Sequence, residues 1–411
     1  MEASQLGRLA SAASSRLASL ELGAKLSDLS SQLLRRPAEP SSPARAATST
    51  ASPPPAPLTP AARAARLREL LLAHQPIPLT KLARIVFAEG VPDVGGDSGL
   101  LRSLTWKLAL GYLPADRSEW PLRLAQAREL YFVWVRELTV DPAALLARAH
   151  EEEEGGADHP LSTAEGSAWR EWHVDEELRR EVRKDVDRTL PDYAFFNREQ
   201  PLGRLHHAAI SRVLFIYAKL NPGIRYVQGM NEVLAPIYFV FCKEQPEPSA
   251  EALDMIEADA FFCFTNLMAE CRDHFCSKLD HTAVGIQHKV KEMERLIAKK
   301  DPELGRFLQR MKVSPTFYGF RWITLMMTQE FDLPDVMRLW DSLLTDPQRF
   351  SFLIYFCAAV VLSIRDELIA HNDFAFCVKA LQRFDGRVPL EKLLAGAYEM
   401  YDQDNPSSTR R

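Results

Sequence analysis

Every fourth residue is apolar in the segment Val174-Asp-Glu-Glu-Leu-Arg-Arg-Glu-Val-Arg-Lys-Asp-Val-Asp-Arg-Thr-Leu190. Five positions make up this apolar stripe: Val174, Leu178, Val182, Val186 and Leu190. We expect an amphipathic helix over 174–190 with the stripe buried. Arg188 lies about 120° from the centre of the stripe on such a helix, so its side chain points outward. Asp185, one turn earlier, can pair with Arg188 and orient it.

The outward face of this segment is basic, which has a structural explanation as well as a functional one. Its other cations are Arg179, Arg180, Arg183 and Lys184. Taken alone, the helix favours a solvated basic face over a functional site.

Helical spacing of apolar residues continues along the chain from about residue 62. The further segments that predict helices are 61–74, 98–113, 120–138, 206–220, 229–242, 253–279, 284–300, 302–311, 315–331, 333–345, 350–369, 373–383 and 389–402. No alternating strand pattern, hairpin signal or repeat accompanies them. We therefore predict an all-α domain over 61–403, with lobes at about 61–245 and 246–403, and a flexible C-terminus at 404–411.

Residues 1–60 differ from the rest because they are rich in Ala, Ser and Pro and contain no aromatic residue. Such a composition predicts a disordered tail. Leu22, Leu26, Leu29 and Leu33 recur there at helical spacing. They fit a transient helix, an amphipathic patch for a membrane surface or partner, or part of a transit peptide. The longest apolar run of the chain, Phe352–Ile364, is shorter than the ~20 residues of a membrane span and predicts a buried helix.

The net charge of −5 argues against a nucleic-acid-binding protein. The six cysteines form no CxxC pair and suit a reducing, intracellular compartment. Cys271, His274 and Cys276 lie too close together for a zinc site and lack a fourth ligand, so we predict no metal. Phosphate-loop, dinucleotide-binding, zinc-protease, hydrolase and kinase motifs are missing, so no self-contained catalytic activity is expected.

A second segment of interest is Tyr226-Val-Gln-Gly-Met-Asn-Glu232, between the turn Asn221-Pro222-Gly223 and an apolar run. Gly229 permits close backbone approach, and the positive end of the following helix faces this loop. Gln228 could present its amide to a water molecule or a phosphate. Capping of the following helix explains the same residue equally well.

Two further sets of residues predict core packing rather than chemistry. One is Arg321-Trp322, Glu330-Phe331 and Trp340-Asp341, where a carboxylate can neutralise Arg321. The other is Gly99-Leu-Leu-Arg102 with Trp106-Lys107.

In this order, these motifs resemble the TBC domain of Rab GTPase-activating proteins. The resemblance covers about residues 87–385, and Val182-x-x-Asp185-x-x-Arg188 and Tyr226-x-Gln228-Gly-Met are its most specific parts. The stretches Ile216-Tyr-Ala-Lys-Leu-Asn-Pro-Gly-Ile and Phe261-Phe-Cys-Phe-Thr-Asn-Leu-Met-Ala-Glu are similar to one subgroup of that family.

The resemblance implies a two-lobed helical fold and a function. It makes Arg188 and Gln228 the catalytic arginine and glutamine fingers, with Asp185, Tyr226 and Gly229 orienting them or binding the substrate. The implied partner is a GTP-bound Rab GTPase, which supplies GTP and Mg²⁺, so no cofactor of the chain's own is expected. The implied location is the cytoplasm, with the N-terminal tail as a point of peripheral membrane contact.

Two positions depart from the family pattern. Val182 stands where the family usually has Ile, and the loop Val91–Gly99 is longer than usual. The alternative from another functional class is a catalytically silent Rab-binding scaffold or adaptor in membrane trafficking.

Overall fold

The computed structural model describes residues 58–94, 96, 98–143, 167–244, 248–275, 285–384 and 386–406. Residues 1–57 of the predicted tail with its leucines at 22–33, Cys276, and residues 407–411 of the predicted flexible C-terminus lie outside these ranges. The last predicted tail residue, Pro60, is already the first residue of a helix that Thr59 caps. The described residues form one compact unit. The described residues contain helices and no strand, which confirms the all-α prediction for this part of the chain.

The helices of the first half are α1 (Pro60–Leu72), α2 (Leu79–Glu89), α3 (Ser98–Ala109), α4 (Trp120–Leu138), α5 (Ala168–Val186), α6 (Pro201–Leu220), α7 (Met230–Cys242) and α8 (Ala250–Cys271). Those of the second half are α9 (Ile286–Lys300), α10 (Pro302–Arg310), α11 (Gly319–Thr324), α12 (Leu333–Thr345), α13 (Ser351–Ser363), α14 (Arg365–His371), α15 (Phe374–Gln382) and α16 (Leu390–Asp404).

The predicted helix over 174–190 is wrong at both ends. Helix α5 begins six residues earlier, where Ser167 caps it by accepting a hydrogen bond from the Arg170 amide, and it ends at Val186. Leu190 has a positive φ of 44°. It precedes Pro191, and a residue before proline is disfavoured in the α-helical conformation. Val174 is 47% exposed, so the predicted buried stripe is also wrong at that position.

Other predicted segments also differ from the structure, for example 206–220, which forms Pro201–Leu220, and 253–279, where the helix spans Ala250–Cys271. Helix α2 is missing from the predicted helices, although its Leu82, Ile85, Val86 and Phe87 are buried at helical spacing. The segment 350–369 forms two helices, because the Ser363 hydroxyl donates to the Val360 carbonyl at 2.7 Å and competes with the helical pattern. The segment 315–331 contains a 3-10 helix at Pro315–Phe317 and the short helix α11, after which Met326 and Met327 adopt positive φ.

Helix α8 is the centre of a first group of helices. It packs on α4, α6 and α7, although it follows the lobe boundary predicted near residue 245. Its Asp259 carboxylate, 1% exposed, binds the Lys107 ammonium at 2.9 Å, the Arg128 guanidinium at 2.9 Å and the Tyr112 hydroxyl at 2.8 Å. These charge-assisted hydrogen bonds join α8 to α3 and α4.

A second group is built on α13, which packs on α9 and α16. Nine of the thirteen residues of α13 are buried, which confirms the prediction of a buried core helix over 352–364. No helix within the described ranges combines the length and the apolar character that crossing a membrane requires.

Helix α12 joins the two groups, because it packs on α2, α3 and α7 as well as on α13 and α16. Its Asp341 is fully buried and accepts hydrogen bonds from the Val91 amide at 2.8 Å and the Trp106 indole at 2.8 Å. The Arg102 guanidinium adds an ion pair at 3.2 Å. Trp340, beside Asp341, packs on Trp106 with ring centroids 5.8 Å apart.

We expect Asp341→Asn to lower the free energy of unfolding by about 3–5 kcal/mol, because it removes the negative charge that pairs with a buried guanidinium. Urea denaturation followed by circular dichroism measures the change. Asp335→Asn is the matched control in the same helix, and it should change stability by less than about 0.5 kcal/mol. Equal stability of the two variants would contradict the role assigned to Asp341.

His206 of α6 is buried between aromatic rings. It stacks on Phe195 with centroids 3.9 Å apart, and its Nδ1 shares a hydrogen bond of 3.1 Å with the Tyr238 hydroxyl. Its Nε2 is buried and has no hydrogen-bond partner among the described residues. Burial, with a smaller effect of neighbouring His207 and Lys243, lowers the pKa of His206 from 6.5 to about 4.

This shift predicts a loss of stability in acid. The unfolded chain takes up a proton at His206 near pH 6.5, whereas the folded chain resists protonation until about pH 4. Stability should therefore fall as the pH drops through this window, by about 3 kcal/mol in total from this residue. Urea denaturation at several pH values should give a flatter curve for His206→Gln than for the wild type. Parallel curves would show that His206 is not the group responsible.

Candidate functional site

Arg188 lies in the turn that ends α5. Its amide donates to the Asp185 carbonyl at 3.2 Å, and its side chain is 58% exposed. The guanidinium Nη2 donates to Asp185 Oδ1 at 2.6 Å. A guanidinium has five N–H donors, so this bond orients the side chain and leaves other donors free to bind a ligand.

Tyr226 connects this turn to the segment that contains Gln228. Its hydroxyl donates to Asp185 Oδ2 at 2.7 Å, while Asp185 Oδ1 binds Arg188. Asp185 is buried, so its carboxylate depends on these two partners. Burial and the hydrogen bond to Asp185 raise the pKa of Tyr226 far above its ordinary value, and the phenol therefore remains a donor at neutral pH.

Gln228 is exposed and directly precedes Gly229, which is the N-cap residue of α7. Gly229 has a φ of +102°, which glycine adopts without strain. A Cβ at this position would lie 2.6 Å from Leu325 Cδ2, so a larger residue would also have to displace the end of the Leu325 side chain. Gly229 thus fixes the path of the chain next to Gln228.

Asn231 is a residue of this site that the sequence did not single out. Its Nδ2 donates to Thr189 Oγ1 at 2.8 Å and to the Asp185 carbonyl at 3.2 Å. Its Oδ1 accepts from the Gly229 amide at 3.2 Å and lies 3.3 Å from the Tyr226 hydroxyl, whose hydrogen is donated to Asp185. The only signal in the sequence was a polar residue at the start of an otherwise apolar run.

Glu232, the next residue, adds a second acidic group near the exposed cation. It is buried, and this burial raises the pKa of its carboxyl, while the charge of Arg188 acts in the opposite direction. Asp185 therefore binds Arg188 directly, and the positive charge of Arg188 also favours the ionised form of Glu232.

The other residues singled out from the sequence have structural roles, although the Arg321 side chain is 41% exposed. Trp106, Trp322 and Trp340 are fully buried. Arg321 donates to Glu330 Oε1 at 2.8 Å and to the Gln382 carbonyl at 2.7 Å, and Asp341 holds α12 against α3 as described above. Within the described ranges no cluster of His, Cys, Asp and Glu side chains has the geometry of a metal site.

Comparison with known proteins gives the family. The sequence pattern of the Rab-GTPase-TBC domain family matches residues 100–369, a range that includes both segments of the site. TBC1 domain family member 13 of Homo sapiens is 36% identical over 376 residues, which cover 76% of this chain and 92% of that protein. This confirms the resemblance to a subgroup. A TBC domain-containing protein of Schizosaccharomyces pombe is 30% identical, with 82% of this chain and 72% of that protein covered.

Among solved structures, the crystal structure of the Ypt/Rab-GAP domain of Gyp1p superposes with a TM-score of 0.66 at 21% identity. The superposition covers 84% of this chain and 100% of that domain, and at this identity it supports the fold alone. The family match over residues 100–369 and the 36% identity to TBC1 domain family member 13 show that the chain belongs to the Rab-GTPase-TBC domain family.

Proposed function

We propose that this chain accelerates GTP hydrolysis on a Rab-type small GTPase by supplying Arg188 and Gln228 to the partner's active site. The observation that carries the proposal is the hydrogen-bonded chain Arg188–Asp185–Tyr226. It links the turn that bears Arg188 to the loop that bears Gln228, and both of these side chains are exposed. Two side chains that act on one substrate have to be held in this way.

Arg188 is suited to stabilise negative charge that develops on the transferring phosphoryl group. A guanidinium is permanently charged and planar, so it can bind two phosphate oxygens at once, which an ammonium cannot do with fixed geometry. Asp185 accepts a hydrogen bond from only one donor of Arg188, and this bond orients the side chain before the partner arrives. This pre-organisation reduces the entropy lost on binding.

Gln228 is assigned to the attacking water. Its amide combines a donor and an acceptor, so it can hold a water molecule and direct its lone pair toward the phosphorus. The left-handed Gly229 and its contact with Leu325 hold the backbone on the C-terminal side of Gln228.

The partner completes the reaction. In this proposal a GTP-bound Rab GTPase contributes the phosphate-binding loop, GTP and Mg²⁺, and this chain contributes no cofactor. The N-terminal tail is proposed as a point of peripheral contact with intracellular membranes, where the partner would be found.

We expect Arg188→Lys to reduce the stimulated rate of GTP hydrolysis by about 10³–10⁵-fold, because a point charge replaces the bidentate fork. Gln228→Ala should also lose most of the stimulation. Single-turnover hydrolysis by a panel of purified Rab GTPases measures both. Arg183→Lys is the matched control, since Arg183 is exposed on α5 and pairs with Glu176.

Two outcomes would contradict the proposal. Normal stimulation by Arg188→Lys would remove Arg188 from the mechanism. No stimulation of any Rab by the wild type, with binding of a GTP-bound Rab still detected, would favour a catalytically silent scaffold.

We expect Tyr226→Phe to lower the stimulated rate at saturating partner by about tenfold while binding of the partner is retained, because Asp185 loses a donor and holds Arg188 less firmly. Comparing the maximal rate with the partner concentration at half-maximal rate separates positioning from binding. Tyr401→Phe is the control, since it removes a similar hydrogen bond of 2.8 Å to Asp346 outside the site. Equal rates for the two variants would show that Tyr226 does not position Arg188.

A further inference from the structure

A cavity of about 380 Å³ lies between α5, α6 and the end of α4, outside the set of residues proposed to act on GTP. Its polar lining is dominated by basic side chains: Arg179, Arg183, Arg198, Arg204, Arg212 and His207. A volume in this range accommodates a compact small molecule. Five guanidinium groups around so small a space indicate an anionic ligand.

Several donors in the cavity are available to a ligand. Arg204 Nη1 donates only to the carbonyls of Arg198 and Glu199 among the described residues, at 3.2 and 3.3 Å. Arg179 stacks over the Phe215 ring at 4.2 Å, and its Nη2 is buried with no hydrogen-bond partner in the described part of the chain. His207 Nε2 pairs with the Phe196 carbonyl at 2.8 Å, and its Nδ1 is likewise buried without a hydrogen-bond partner among the described residues.

The remaining arginines already pair with carboxylates, and this decides what kind of anion can bind. Asp187 pairs with Arg198 at 2.8 Å, and Glu257 forms two bonds with Arg212 at 2.5 and 2.6 Å. Glu176 pairs with Arg183 and also lies 3.8 Å from Arg179 Nη1, which leaves Arg179 Nη2 without a hydrogen bond among the described residues.

Five arginines against these three carboxylates leave an excess of two positive charges. A ligand with a single carboxylate would offer these arginines only the kind of ion pair that they already form. Phosphate groups carry about −2 each with three acceptor oxygens, so a ligand with several of them can compete.

The side chains of Asp187 and Arg188 point in different directions, which separates the cavity from Arg188. Asp187 faces the cavity, with Oδ2 on Arg198 and Oδ1 at 3.8 Å from His207 Nδ1. Arg188, the next residue, binds Asp185 on the side of Tyr226. A ligand in the cavity would therefore occupy arginines that the proposed GTP hydrolysis does not use.

We propose that this arginine-lined cavity binds a compact polyphosphate, namely a phosphorylated inositol ring, either as a soluble inositol phosphate or as a lipid headgroup. In this proposal the ring lies against Phe215 and Ala208, and its phosphates bind the surrounding guanidinium groups of the lining. The proposal stands on the geometry of α5 and α6 and does not depend on Arg188 or Gln228.

The test uses the full chain and two probes. Calorimetric titration with myo-inositol hexakisphosphate measures binding of the soluble form. Sedimentation with vesicles measures binding of the headgroup, using phosphatidylcholine alone, with phosphatidylserine, or with phosphatidylinositol bisphosphate. The double variant Arg198→Gln/Arg204→Gln removes two exposed cavity arginines, and we expect binding at least about tenfold weaker.

The matched control is Arg180→Gln/Lys184→Gln, which removes the same charge from exposed positions of α5 outside the cavity. We expect it to weaken binding by less than about threefold. Asp187→Asn should tighten binding, because it frees Arg198.

The outcomes separate the two sources and can overturn the proposal. Binding of the soluble probe without vesicle binding identifies a soluble ligand, and binding of phosphatidylinositol bisphosphate vesicles with the same variant dependence identifies a headgroup. No binding of either probe would overturn the site. Equal losses in the two double variants, or equal sedimentation with phosphatidylserine, would overturn it in favour of unspecific surface charge.

Discussion

The carboxylate of Asp341 is the interaction on which the arrangement of the helices depends. It is fully buried in α12, the helix that packs on both groups, and its oxygens bind the backbone at Val91 and the side chains of Arg102 and Trp106. A buried carboxylate is stable only when its charge and lone pairs are satisfied together. The position of α12 relative to α3 is therefore specified by hydrogen-bond geometry as well as by apolar packing of Trp106 on Trp340.

The candidate site repeats the same device on a smaller scale. Asp185 is buried and divides its two oxygens between Arg188 and Tyr226, and Asn231 closes the network through Thr189 and the Asp185 backbone. The buried carboxylate of Asp185 thus holds the exposed guanidinium of Arg188 in position, although an arginine side chain is otherwise flexible. In the proposed mechanism, forming this network during folding lowers the free-energy cost of arranging Arg188 and Gln228 when the partner binds.

Helix α5 carries charged groups toward two different surfaces. One turn presents Asp185 and Arg188 to the Tyr226 loop, and Asp187 faces the arginine-lined cavity with Arg179 and Arg183. The basic face of α5, which we interpreted from the sequence as a solvated surface, forms part of the cavity wall. The ion pairs of Arg183 with Glu176 and of Arg198 with Asp187 reduce the net positive charge of this cavity wall. A ligand therefore has to carry enough negative charge to compete with these carboxylates.

The sequence alone determined the helical fold class, the family and the candidate residues Arg188 and Gln228, because apolar spacing and short motifs are local properties of the chain. It did not determine where α5 ends, since that depends on Pro191 and on the turn at Leu190 rather than on periodicity. It placed Val174 in the core, but tertiary packing leaves Val174 exposed and buries Asp175 instead, paired with Lys219 at 2.8 Å. Only the tertiary structure brought Tyr226 to Asp185, 41 positions away, and Asn231 to Thr189, 42 positions away. Hydrogen-bond partners so distant in sequence leave no periodic signal, so they follow from the packing of α5 against α6 and α7 and not from any one segment.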